Sequence, residues 1–409
     1  MSQQGPIIVV ADDGRPPFAD ALDDAQLFPI IDTAWADAPR AVEQLQPAAV
    51  LVALPETSEP NFEAFARQIA ARKPYLPLIF IDPRIALPEN AIPFTQTAGN
   101  FDRLIARLRA ALRIRTLHAT VMRRLDDEHS PAKLPETNPV RDATVLLIGR
   151  GAAYPLLSVA LGERMGIVGA LSIEAAAKHL NVRDIDGIVL AEGFSLRVMD
   201  AFLTVLSEDA RFRNLPIVVT TDELAPAYDL PNLEMIHGGP ARITANATPL
   251  IRQHAFEAHL SRTLRSIDAG GLLDPLTGLL APAAFDRDFA TAVYQTLSQG
   301  GGLSVARFAF DPGHMRAQLD GARILSRLMR QMDFGAAQPD GSVIVVFAET
   351  DLRTAHAIAR RLSSVMRHTS HGKRDAQAEP AVTLATLLPG DSARSLLARL
   401  HEEAQRAAS

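Results

Sequence analysis

The tetrapeptide Arg330-Gln331-Met332-Asp333 sets a guanidinium and a carboxylate three residues apart. An arginine fork can donate two hydrogen bonds to the O6 and N7 acceptors of a guanine, and a carboxylate can accept from its N1 and N2 donors. One such pair can read a whole purine edge. The spacing of three puts both side chains on one side of a helical turn. Against this, an arginine and an aspartate three apart at a helix end are often a surface ion pair of small energetic consequence. Other chemistry-bearing residues are scattered: Asp12 and Asp13 follow one apolar run, Glu192 follows another, and Asp311 and Asp340 lie near two more. His314, His356, His368 and His371 have no acidic partners at metal-ligand spacing, so no metal site is expected. Cysteine is absent, which removes thiolate ligands, cysteine nucleophiles and disulfides, and fits a reducing cytosol.

The elements that must position these residues follow from hydrophobic patterning. A chain of 409 residues suggests about three domains at roughly 150 residues each. Hydrophobic residues make up 47% and charged residues 22%, enough apolar material for a core in each. The formal charge of −6 argues against broad attraction to nucleic acid or to an anionic membrane. No apolar run reaches the roughly 18 residues of a membrane span, and the N-terminal residues do not read as a signal peptide, so a cytoplasmic protein is expected.

The runs IIVVA, AVLVAL and LPLIFI alternate with helical stretches up to about Leu117, the last of which carries Leu104, Leu108 and Leu112 on one stripe. Short apolar strands alternating with amphipathic helices indicate a parallel sheet covered on both faces. A proline-rich, charged stretch follows, and then the pattern repeats with ATVLLIG, DGIVLA, LPIVVTT and LEMIHG. Leu250 to Ile267 reads as a helix leading out of this second unit. The remainder has strands LSVARFAF, SVIVVFAE and AVTLATLL, with helices expected at Arg316 to Met332, Leu352 to Met366 and Ser392 to Ala407.

The segment Asp274-Pro275-Leu276-Thr277-Gly278-Leu279 resembles the start of a GGDEF domain, the cyclase module that condenses two GTP molecules. With two receiver-like units ahead of it, the chain resembles response regulators built as receiver, receiver and GGDEF domain, and its losses make it most similar to their non-catalytic members. The resemblance implies an α/β fold throughout: two flavodoxin-like parallel-sheet domains followed by a nucleotidyl cyclase-like one. The expected boundaries are 1–117 for the first receiver, 118–141 for a linker, 142–255 for the second receiver, 256–271 for a connecting helix and 272–409 for the GGDEF domain.

A working receiver needs an acceptor aspartate, an acidic pair for magnesium and a lysine. In the first unit Asp12 and Asp13 match the pair, but Ala53 stands at the acceptor and Thr97 at the lysine, and Glu56 lies too far along to restore in-line geometry. In the second unit Gly149 and Arg150 replace the pair, and Ala191 and Glu192 fall at the acceptor. Glu192 as an exposed glutamate is favoured over Glu192 as a phosphoaspartate mimic. Thr220 or Thr221 matches the receiver's switch hydroxyl, or is a plain strand residue. No phosphoacceptor is expected, and protein contact and dimerisation are the expected uses of both receivers.

The signature loop of the resembled cyclases falls on Pro339-Asp340-Gly341-Ser342-Val343, and the metal aspartate of the preceding strand on Ala309. Asp311 is a neighbouring carboxylate, and only PGHM precedes the next helix where the family has a guanine-reading segment. The resemblance therefore implies no catalytic residue, no metal and no cofactor. Asp274 with Thr277 is expected to cap a turn. What the family's pattern retains is RxxD, its inhibitory site, at Arg330 and Asp333, with Arg361 where a secondary arginine falls. Arg360 is adjacent to Arg361, which leaves the register open by one. The implied function is a cyclic di-GMP effector that acts as a homodimer through protein partners in a proteolytic adaptor complex, at a cell pole. Residual cyclase or GTP-binding activity, and a scaffold with no ligand, are the alternatives.

Overall fold

The computed structural model describes residues 5–12, 14–25, 29–53, 62–83, 87–96, 101–126, 138–221, 224, 228–366, 369–370 and 379–408. Asp13, Glu56, Thr97, His368 and His371 lie outside them. The fold is mixed α/β, as expected.

The first unit is a parallel sheet of β1 (Ile7–Ala11), β2 (Ile30–Thr33), β3 (Ala49–Ala53), β4 (Leu78–Ile81) and β5 (Ala91–Phe94), in the order β2-β1-β3-β4-β5. This is the flavodoxin-like order. Side chains alternate between its faces. Ile7, Val9, Leu51, Ile79 and Ile92 pack with Phe18, Leu104 and Leu108 on one side, while Ile8, Val10, Val50, Val52 and Leu78 pack with Phe62 and Phe65 on the other. Burial on both faces explains why these strands read as unbroken apolar runs. Strands β2 and β5 are not visible in the sequence. Asp32 interrupts the first, and AIPF carries a proline, which suits an edge strand.

The second unit repeats the order with β6 (Thr144–Ile148), β7 (Gly166–Ala170), β8 (Gly187–Leu190), β9 (Ile217–Val219) and β10 (Leu233–Met235), arranged β10-β9-β8-β6-β7 and parallel. The strand β7, GIVGA, escapes detection because glycines flank only two branched residues. The helix Asp102–Leu125 continues past the expected boundary at 117. The helix Pro240–Asp268 begins ten residues before the expected start and runs through Pro249. These two helices pack together, and Leu104, Leu108, Ile243, Leu250 and Ile251 belong to one apolar core shared by both units.

The C-terminal unit has an antiparallel sheet of β11 (Leu303–Ala309), β12 (Phe334–Ala337), β13 (Val343–Ala348) and β15 (Ala381–Thr386), in the order β12-β13-β11-β15. The short β14 (Thr369–Ser370) leaves this unit and pairs antiparallel with β7 of the second. The helix Met315–Leu328 ends four residues short of the expected Met332, because Met329 turns to extended backbone with ψ of 148°. A tight turn then leads into β12.

Candidate functional site

That turn is where Arg330 and Asp333 stand, so the helical placement expected for the pair is corrected. The Asp333 N–H donates to the Arg330 carbonyl at 3.0 Å. The Asp333 carboxylate accepts from the Arg330 N–H at 3.4 Å and from the Ala348 N–H at 3.3 Å, which ties the turn to the end of β13. An aspartate that can satisfy nearby backbone donors competes with helix continuation, which accounts for the early stop. Asp333 is 7% exposed, and burial pushes its carboxyl above the usual range despite those two bonds. Arg330 is exposed, and no ion pair joins it to Asp333 among the described residues. Arg330 therefore acts on Asp333 through its charge and not through a direct ion-pair contact. Arg361 lies exposed on the helix Leu352–Met366, which packs against the helix leading into the turn; Arg360 is exposed beside it. No hydrogen bond or ion pair joins Arg361 to Arg330 or Asp333.

Five residues beyond Asp333 the chain turns again, between β12 and β13. The Gln338 N–H donates to the Ser342 carbonyl at 2.8 Å, and Gly341 has a positive φ of 80°, so residues 338–342 form a closed hairpin loop. Asp340 is committed to this loop: its carboxylate accepts from the Ser342 N–H at 3.0 Å, the Ser342 hydroxyl at 2.6 Å and the Arg307 guanidinium at 2.7 Å. Burial raises its pKa, but the Ser342 and Arg307 contacts outweigh this and hold it at about 2. Asp311 instead accepts from the Gly313 N–H at 2.8 Å and faces His314 Nδ1 at 2.9 Å. The two carboxylates thus serve different local partners. No group of three or more potential metal ligands occurs among the described residues. Asp274 caps its own turn, accepting from the Thr277 hydroxyl at 2.6 Å and the Leu276 N–H at 3.1 Å.

In the first unit Asp12 accepts from the Trp35 N–H at 2.9 Å, and Ala53 closes β3 half-buried. In the second unit the strand ends are filled by packing. The Arg150 and Gly151 N–H groups donate to the Glu192 carbonyl at 2.9 and 3.1 Å, and Arg150 lies over the Phe194 ring at 5.1 Å. A Cβ on Gly151 would come within 2.8 Å of the Glu192 Cβ, and one on Gly149 within 2.9 Å of the Ala191 Cβ. Glycines at both places let the loops close over the space between β6 and β8. The Thr220 N–H donates to the Leu190 carbonyl at 3.1 Å, so this residue continues the ladder.

Two buried charge pairs have no signal in the sequence. Arg107, fully buried, donates to the carbonyls of Pro93 and Pro231 at 2.7 and 2.6 Å and to Glu234 at 2.9 Å. Burial lowers its pKa to about 10, which leaves it charged. Arg183 pairs with Asp320 at 2.8 Å and donates to the Val365 carbonyl, joining the second unit to the third. Arg107 lies on the helix Asp102–Leu125 and Arg183 just past the helix Ile173–Val182, both in stretches whose local pattern looks like ordinary solvated surface.

No known family model matches the chain. No curated protein sequence matches it either. Solved structures similar to it include GGDEF domains, which align with about a third of it, and the C-terminal domain of glucosamine-fructose-6-phosphate aminotransferase from Francisella tularensis, 14% identical over 62% of this chain and 84% of that one, with a TM-score of 0.19. The coiled coil and GGDEF domain of DgcB from Caulobacter crescentus, in complex with c-di-GMP, is 16% identical over 35% of this chain and 83% of that one, with a TM-score of 0.30. The FimX GGDEF domain from Pseudomonas aeruginosa is 22% identical over 34% of this chain and 93% of its own, also at 0.30. A sensory box/GGDEF family protein from Caulobacter crescentus is 22% identical over 33% and 97%, at 0.28.

Proposed function

We propose that this chain is a non-catalytic cyclic di-GMP effector of the PopA kind, in which two degenerate receivers precede a degenerate GGDEF domain that binds the ligand through Arg330 and Arg361, with Asp333 bracing the turn that presents Arg330. The observation that carries this reading is the Arg330–Asp333 turn. Its carboxylate is fixed by backbone donors from two segments, while its guanidinium is exposed and makes no ion pair among the described residues. A cationic fork held on a braced turn is suited to a guanine edge or a phosphate, because little conformational freedom of the backbone is lost on binding. The positions where a cyclase would hold its metal carry Ala309, Gly341 and Ser342, and Asp340 is consumed by Arg307 and Ser342.

The output of such an effector is protein contact. We place it in a homodimer and in adaptor complexes that deliver a substrate to a protease, at a cell pole. No helix among the described residues is long and apolar enough to cross a membrane. Thermal unfolding with saturating cyclic di-GMP tests the reading against a ligand-free scaffold. At a hundredfold excess over Kd the native state gains about 2.7 kcal/mol, a rise of several degrees in midpoint. No rise would favour the scaffold.

A further inference from the structure

A cavity of about 460 Å³ lies between the first and second parallel-sheet units. That volume falls within the range of roughly 300–1,000 Å³ usual for small-molecule sites. None of Arg330, Asp333 and Arg361 lines it. Its walls come from the stretch following the helix Phe62–Ala70, from the approach to β5, and from the helices Asp102–Leu125 and Pro240–Asp268.

The lining has three properties of a built site. First, it offers flat apolar surface: the Tyr75 and Phe256 rings are 5.6 Å apart, and the His118 ring meets Phe256 edge-on at 5.3 Å. Second, it is cationic in a chain whose net charge is −6. Arg72, Lys73 and Arg252 face a single acid, Glu89, which already pairs with Arg164 at 3.2 Å. Lys73 and Arg252 have no ion-pair partner among the described residues. Third, its wall includes two imidazoles, His118 and His259, both largely buried.

His118 adds direction. Its Nδ1 accepts from the Tyr75 N–H at 2.8 Å, so the neutral ring presents Nε2–H as a donor. Burial, with Lys73 and Arg115 nearby, lowers the pKa of His118, and burial with Arg262 and Arg323 takes His259 to about 4. Both rings are neutral near pH 7 and His118 supplies the hydrogen-bond donor, while the charge comes from Lys73 and Arg252.

We infer that this cavity binds a small organic anion: a flat ring carrying a phosphate or carboxylate, with the ring against Tyr75 and Phe256 and the anionic group toward Lys73 and Arg252. Because the walls belong to both units, occupancy stabilises their present arrangement. A ligand here is an input separate from the Arg330 turn.

Anilinonaphthalene sulfonate, a fused aromatic anion whose fluorescence rises in apolar surroundings, serves as the probe for the full chain. Saturable binding is expected. Arg252→Gln should weaken it about tenfold, since a charge-assisted contact is lost. Ala70→Phe, at an exposed position on the wall, should block it by filling space. Circular dichroism melting would confirm that both variants fold. Displacement by GMP supports the site with a phosphate ligand, and displacement by indoleacetate supports it with a carboxylate. The inference is overturned if binding does not saturate, if neither competitor displaces the dye, or if both variants bind as the wild type does. Unchanged binding would place the dye on exposed apolar side chains such as Leu156 and Val159.

Discussion

Asp333 and Arg330 illustrate how a short motif divides its work. The aspartate is buried and spends its oxygens on backbone donors, while the arginine stays exposed. The types and spacing were legible in the sequence, but the local geometry was not. The sequence suggested a helical turn, whereas the carboxylate ends the helix and braces a turn against β13. The buried arginines were illegible for a related reason. Arg107 belongs to a helix whose basic residues look solvated, and only the approach of β10 brings Glu234 to it. Histidine gives a residue-scale prediction. His259 is held at about 4 in the folded chain against an ordinary value of 6.5. The unfolded chain therefore takes up the proton first as pH falls. Stability from the neutral ring is complete above about pH 6.5 and is lost progressively toward pH 4. His259→Gln should show a smaller fall in melting temperature than the wild type across that window. Parallel profiles would show that another group dominates.

At the scale of elements, what the sequence displayed was burial on two faces. The strands β1, β3, β4, β6, β8 and β9 are continuous apolar runs because helices cover both sides of a parallel sheet. Strands at edges or with glycine lack that signal, which is why β2, β5 and β7 were missed. The helices Asp102–Leu125 and Pro240–Asp268 run longer than their local pattern suggests because tertiary contact overrides local preference. The helix Pro240–Asp268 runs through Pro249 because its face packs on the helix Asp102–Leu125 and on β5. The junction of those elements supports a stability prediction. Glu234 is 1% exposed, and its removal would leave the Arg107 guanidinium buried with only carbonyl partners. Glu234→Ala should cost about 3–5 kcal/mol, the usual penalty for stranding a buried charge. A urea titration followed by far-ultraviolet circular dichroism would show an earlier first transition. A midpoint within error of the wild type would mean that the carbonyls alone suffice.

At the scale of the whole molecule, three sheets are joined by specific contacts. The first two units share an apolar core around their last helices. The third is attached to the second by Arg183 with Asp320, by Arg327 with Asp184 at 2.9 Å, and by β14 alongside β7. The proposed effector reading has a consequence for activity. Asp340 accepts from Arg307 and Ser342, and Asp311 faces His314, so the two carboxylates serve different local partners. Incubation with GTP and magnesium should give no cyclic di-GMP above a buffer control. Turnover that disappears in Asp311→Ala would overturn that expectation.

The central claim is ligand recognition at the turn, and the most direct measurement is an isothermal calorimetric titration of cyclic di-GMP into the wild type and into Arg330→Ala. The proposal predicts saturable binding to the wild type and at least about tenfold weaker binding to the variant. Losing a charge-assisted contact costs on the order of 1.5–3 kcal/mol. Absence of heat and saturation with the wild type, or equal affinity in the two proteins, would contradict it.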